Sequence, residues 1–140
     1  MEIKVTLDEN ATMPTKAHAS DAGYDLYMPN KIGILKAKSD LTIDTGVHML
    51  IPDGYVGMIK SKSGLNVKHG IRGEGVIDAG YTGSIVVKLY NDSNEEHIFE
   101  SGDKLTQLVI IPIPETQLVQ VESFDTETER GENGFGSTGR

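Results

Sequence analysis

Short runs rich in Val, Ile and Thr recur along this chain, and each is closed within a few residues by Gly, Pro, Asn or Asp. The runs are Ile3–Leu7, Leu41–Val47, Tyr55–Ile59, Ser84–Tyr90, Leu105–Ile113 and Gln117–Val121. Turn residues separate them at Pro52-Asp53-Gly54, Ala79-Gly80, Asn91–Asn94 and Ser101–Asp103. That punctuation predicts strands and tight turns. No window sustains a helical period, and one or two turns near Ser63–His69 are the best helix candidate. The expected fold is all-β, a sandwich or jelly roll. In Ser84–Tyr90 the alternation is imperfect, which predicts a strand buried on both faces. With 140 residues there is room for one domain with a modest core.

Composition narrows the function. The chain has no cysteine, which excludes disulfides and thiolate metal sites. Its formal net charge is −8, which disfavours direct nucleic-acid binding. A small anionic ligand is still admissible, given a local cluster of donors and cations and a divalent metal. No apolar stretch is long enough to span a membrane. The N-terminus, MEIKVTLDEN, has no signal-peptide pattern, so the expectation is an intracellular, cytoplasmic protein with no membrane partner.

The composition changes near the C-terminus. Glu122 to Glu129 is acidic and polar, and Arg130-Gly131-Glu132-Asn133-Gly134-Phe135-Gly136-Ser137-Thr138-Gly139-Arg140 follows. Four glycines in these eleven residues make a core element entropically costly. A disordered tail is one reading. The Phe between glycines, beside Ser, Thr and Arg, points to a ligand-contacting arm. Gly134–Gly139 is formally G-x-G-x-x-G, but no helix follows it, and Ser137 stands where a P-loop needs Lys. Glycines of this kind still let backbone N–H groups converge on phosphate oxygens. His18, His48, His69 and His97 show no metal-ligand spacing and are expected to be surface or packing residues.

Five blocks are built from small, polar and glycine residues. They are Ala19–Tyr27, Lys60–Asn66, Gly73–Gly83, Gly102–Leu108 and the tail. In this order they resemble the five motifs of the trimeric dUTP pyrophosphatases (dUTPases), over about Lys4 to Arg140. The most specific pieces are Ala22-Gly23-Tyr24-Asp25-Leu26, Ser63-Gly64-Leu65, Val76-Ile77-Asp78 with Tyr81 and Gly83, and Arg130-Gly131 with Gly134–Gly139.

The resemblance implies a jelly-roll subunit of the dUTPase β-clip or β-barrel type, spanning residues 1–129. A flexible glycine-rich arm, 130–140, would close the active site. It also implies a homotrimer with three shared sites, Mg²⁺ as cofactor, and hydrolysis of dUTP to dUMP and pyrophosphate. Such an enzyme supplies dUMP and limits uracil incorporation into DNA. Asp78 would activate the water that attacks the α-phosphorus. A carboxylate is a weak base at neutral pH, so this role leans on orientation and electrostatics. Tyr81 would pack under the deoxyribose and exclude a 2′-hydroxyl. Gly75, Val76 and Ile77, with Val86 on a facing strand, would read uracil through backbone groups. Lys62, Ser63, Gly64 and Gln107 would hold the α- and β-phosphates. Arg130, Gly136, Ser137 and Thr138 would clamp the γ-phosphate, and Phe135 would stack on the base. Asp25 would hold a metal-bound water or brace the site.

Two positions depart from the family pattern. Lys62 and Lys104 stand where Arg is common, supplying charge without a planar fork. Thr106 stands where Ala is common and reads as neutral. Two alternatives compete with dUTP hydrolysis. The dCTP deaminases share the fold but need a glutamate-centred site. A trimeric binding protein could keep the pocket as a nucleotide sensor with a regulatory protein partner.

Overall fold

The computed structural model of the chain describes residues 1–139. Arg140, the last residue of the expected arm, lies outside the described residues. In chain order the elements are β1 (Lys4–Leu7), β2 (Gly23–Tyr27), β3 (Gly33–Leu35), β4 (Asp40–Leu50), β5 (Tyr55–Ser61), α1 (Ser63–His69), β6 (Ile71–Gly73), β7 (Gly75–Ile77), β8 (Ser84–Asn91), β9 (His97–Phe99) and β10 (Lys104–Pro112). The expected all-β fold with one short helix is therefore observed. Among the described residues no helix is long and apolar enough to cross a membrane.

The strands make two four-stranded sheets, ordered β1-β4-β8-β6 and β2-β10-β5-β7, and a small β3-β9 pair. Every pairing is antiparallel. Among the described residues the sheets stay open and do not close into a barrel. Both contribute to one hydrophobic cluster: Ile43, Val47, Ile85, Val87 and Leu89 from the first, Leu26, Ile59, Leu105 and Leu108 from the second. Phe99, on β9, is the largest side chain sealed inside.

The strand at Ser84–Tyr90 is not buried on both faces. β8 alternates, with Ile85, Val87 and Leu89 inward and Val86 and Lys88 outward. The sheet packs on the core by one face only, and that imposes the two-residue period. The run Gln117–Val121 forms no strand. It finds no pairing partner among the described residues, and Leu118 stands 98% exposed. Apolar composition suggests a strand there, but a strand also needs a neighbour for its backbone groups.

β2, β3, β6, β7 and β9 were absent from the strands read from sequence. Most are three residues long, too short for a period to emerge. Thr106 is not neutral packing either: it is fully buried, and its hydroxyl meets no hydrogen-bond partner among the described residues. Replacing that hydroxyl by a methyl removes a desolvated polar group without emptying the site. Thr106→Val should therefore raise the unfolding free energy by about 1 kcal/mol, measured by urea denaturation.

Candidate functional site

β10 runs between β2 and β5, and this register brings the first, second and fourth blocks together. Gln107 on β10 lies opposite Asp25 on β2 and Lys60 on β5. A register shift between Lys104 and Thr106 breaks the ladder with β2, and Lys104 reaches Asp25 across it. Asp25 is only 5% exposed. Its Oδ1 accepts from Lys62 Nζ, and its Oδ2 lies 2.9 Å from Lys104 Nζ. Burial pushes the Asp25 carboxyl up, but the hydrogen bonds and charges of the two lysines outweigh burial and hold it below the ordinary carboxylate range. In return, the same contact raises the Lys104 ammonium.

Gly23 is set by Gln107. A Cβ at position 23 would lie 2.8 Å from Gln107 Oε1, so only glycine lets that amide lie across β2. The Gln107 amide donates to the Ser61 carbonyl at 3.1 Å. Lys62 is the extended N-cap of α1, and no side chain caps the helix. The first helical bond is Asn66 N–H to the Lys62 carbonyl, at 2.9 Å. The N–H groups of Ser63 and Gly64 therefore lack intrahelical partners and are available to an anion.

An open cleft of about 410 Å³ lies here, lined by Lys62, Gly64, Leu65, His97, Phe99 and Lys104, among others. The His97 ring packs, tilted, between His69, at 5.0 Å and 59°, and Phe99, at 4.6 Å and 57°. Burial, reinforced by His69, keeps His97 below the ordinary imidazole range. The sequence noted Lys104 only as a substitution, and His97 and Phe99 carried no signal. Their block lies far from Lys62 in sequence, and only the fold brings them to one cleft.

The third block forms a second cluster. β7 pairs with β5, placing Gly75 opposite Ile59 and Ile77 opposite Gly57. Ile77 is buried, whereas Val76, Tyr81 and Val86 are exposed. The exposed Asp78 follows β7 in a turn closed by Tyr81 N–H to the Asp78 carbonyl, at 3.2 Å. Tyr81 donates its hydroxyl to the Ser84 carbonyl at 3.1 Å. A Cβ at Gly83 would lie 2.3 Å from that phenol oxygen, so glycine makes room for the ring.

The arm makes only local bonds. Arg130 Nε donates to the Asn133 carbonyl at 3.0 Å, Ser137 N–H bonds the Gly134 carbonyl, and Phe135 is wholly exposed. No side-chain hydrogen bond or ion pair joins the lysine cluster, the Asp78 turn and the arm among the described residues. The residues expected to form the site thus lie on three separate surfaces of one chain. The described residues contain no group of three or more His, Asp or Glu side chains able to cage a metal. Asp25 carries an ammonium on each of its carboxylate oxygens.

These features agree with the chain's relatives. The dUTPase family model matches residues 9–139. Over 140 residues the chain is 43% identical to the deoxyuridine 5′-triphosphate nucleotidohydrolase of Eremothecium gossypii, covering 98% of this chain and 90% of that protein. The Saccharomyces cerevisiae protein of the same name is 42% identical, over 93% of this chain and 88% of its own. The Staphylococcus bacteriophage 80alpha dUTPase, solved with dUPNHPP, superposes with a TM-score of 0.89 at 35% identity, covering 99% of each chain. A variant of the dUTPase from phage phi11 of S. aureus, whose structure reveals a coordinated structural Mg(II) ion, superposes at 0.83 with 32% identity, over 90% of this chain and 100% of that one. The chain belongs to the dUTPase family.

Asp25 has its carboxyl lowered in the folded chain. It contributes stability that is complete above the ordinary carboxylate range and is lost as pH falls through the folded-state value. Asp25→Asn should cost about 1–3 kcal/mol at pH 7, discounted for the partly exposed lysines. In urea titrations repeated across pH, the gap to the parent should close in acid.

Proposed function

We propose that this chain hydrolyses dUTP to dUMP and pyrophosphate, with Asp78 activating the water that attacks the α-phosphorus. The observation that carries this reading is the contrast between two carboxylates. Asp25 is buried and engaged by two ammonium groups. Asp78 is exposed, and its carboxylate makes no hydrogen bond or ion pair among the described residues. One carboxylate holds the site together and the other is free to act, a division of labour set by environment.

Around Asp78 the residues take distinct tasks. Tyr81, its ring seated over Gly83, packs under the deoxyribose and leaves no space for a 2′-hydroxyl. Gly75, Val76, Ile77 and Val86 border the base, which backbone groups read. Lys62, Ser63, Gly64 and Gln107 hold the α- and β-phosphates, with Lys104 adding charge beside them. Mg²⁺, carried by the triphosphate, supplies charge neutralisation to the phosphates when bound. Asp25 braces the lysines that face it.

The three surfaces belong to a homotrimer in which each site draws on neighbouring copies. Residues 1–129 form the body, and 130–140 form an arm that closes a neighbour's site. Support comes from the arm itself: Phe135, Ser137 and Thr138 are exposed, and Gln117–Val121 has no partner in its own chain. Closure would put Arg130, Gly136, Ser137 and Thr138 on the γ-phosphate and Phe135 on the base, excluding water. The enzyme acts on the free nucleotide pool, in keeping with a cytoplasmic location.

A product assay with Mg²⁺ across dUTP, UTP, dTTP and dCTP tests the reading. dUMP and pyrophosphate should form from dUTP far faster than products form from the others, and ammonia release from dCTP would overturn it. Asp78→Asn should lower kcat by about 100- to 10,000-fold while dUTP still binds, measured by single-turnover kinetics and calorimetry. Deleting 131–140 should leave the circular dichroism spectrum and the assembly intact and reduce kcat/KM by about 100-fold.

A further inference from the structure

β4 carries an irregularity that the site described above does not use. Asp44 pairs with Val86 and His48 with Ser84, so three residues of β4 face a single residue of β8. This bulge is held from both sides. The Gly46 N–H bonds Asp44 Oδ1 at 3.0 Å, and the Thr45 hydroxyl bonds the Ile85 carbonyl at 2.6 Å. Bulges re-aim the side chain that follows them. Here the side chain is His48.

His48 lies between two acceptors. Its Nδ1 is 2.7 Å from the Thr82 carbonyl, and its Nε2 is 3.0 Å from Asp8 Oδ1. A carbonyl and an ionised carboxylate cannot donate. A neutral imidazole has one N–H and satisfies only one of them, so both bonds exist together only in the imidazolium. Thr82 is the residue after Tyr81, within the turn that carries Asp78. The same turn is tied to the end of β4 by the Gly80 N–H to the Ile51 carbonyl, at 3.1 Å, and by the Ser84 hydroxyl to Asp44.

We propose that His48 is a positioning residue: its doubly protonated ring ties the Asp78–Tyr81 turn to β4 and to the end of β1, and the turn loosens when the ring loses its proton. This rests on the reading that the turn handles the nucleotide. The surroundings favour the charged ring. Asp8, from the turn after β1, and Asp44, on β4, are the charged groups that face it, with Lys31 beside Asp44. Its register partners, Thr6 on β1 and Ser84 on β8, are uncharged. The Thr82 carbonyl first, and Asp8 second, raise the proton affinity of the ring above the ordinary imidazole range. The tie is therefore complete below that range and is lost as pH rises through the elevated value.

The test combines nuclear magnetic resonance with kinetics on the full chain. The His48 ring resonances should report an imidazolium that titrates above free imidazole. Amide protection factors at Tyr81–Gly83, from which the intrinsic rise of exchange with pH is divided out, should fall across that titration. In the parent, kcat/KM for dUTP should fall about three- to tenfold across the same pH interval. His48→Ala should start low and lack this alkaline limb. His48→Arg, with permanently charged donors, should recover activity and also lack the limb. A limb that persists unchanged in His48→Ala, or a ring that titrates at or below free imidazole, would overturn the proposal. Failure of the parent to turn over dUTP at any pH would instead overturn the functional reading; the ring titration and amide exchange would still decide the tie.

Discussion

A carboxylate that is almost wholly out of water needs compensating charge, and in this molecule two lysines supply it. Asp25 sits where β2 meets β10, and its oxygens engage Lys62, just past β5, and Lys104, at the start of β10. Leaving Asp25 unpaired there would cost several kcal/mol, of the order known for broken buried ion pairs. The contact therefore links three strands of one sheet. It also decides where the cleft lies, since the same two ammonium groups line it. Asp103 lines the cleft as well, so its two ammonium groups are accompanied by carboxylates.

The other sheet positions the turn that carries Asp78. β4 is the longest strand, and its bulge and C-terminal end hold the turn from Asp78 to Ser84 by several separate bonds. That turn leaves Asp78 exposed and seats the Tyr81 ring over Gly83. A long strand thus holds a short loop in place without burying the carboxylate that the loop carries. The arm shows the opposite economy: among the described residues its bonds are local, and its aromatic side chain remains in solvent.

Much of this was legible in the residues. The runs at Tyr55–Ile59 and Leu105–Ile113 became β5 and β10 because apolar character and turn residues agree locally. α1 matched Ser63–His69 because Gly70 ends it in a left-handed conformation. The errors have definite physical causes. The apolar residues at 117–121 look like a strand, yet pairing depends on a neighbour that composition does not reveal. In Ser84–Tyr90 the polar positions are sparse: Val86 is apolar but faces outward, so the sequence period is blurred while the structural one is regular. The contacts of His48 were not legible, because its two acceptors, Asp8 and Thr82, lie 40 and 34 residues away.

By itself, the sequence determined the fold class and the family resemblance, because these follow from local pattern and residue type. It could not determine which carboxylate is neutralised and which stands free. Asp25 and Asp78 are chemically identical side chains in similar glycine-rich blocks. Their difference arises from burial and from lysines brought close by strand pairing, and long-range pairing is a property of the folded chain alone.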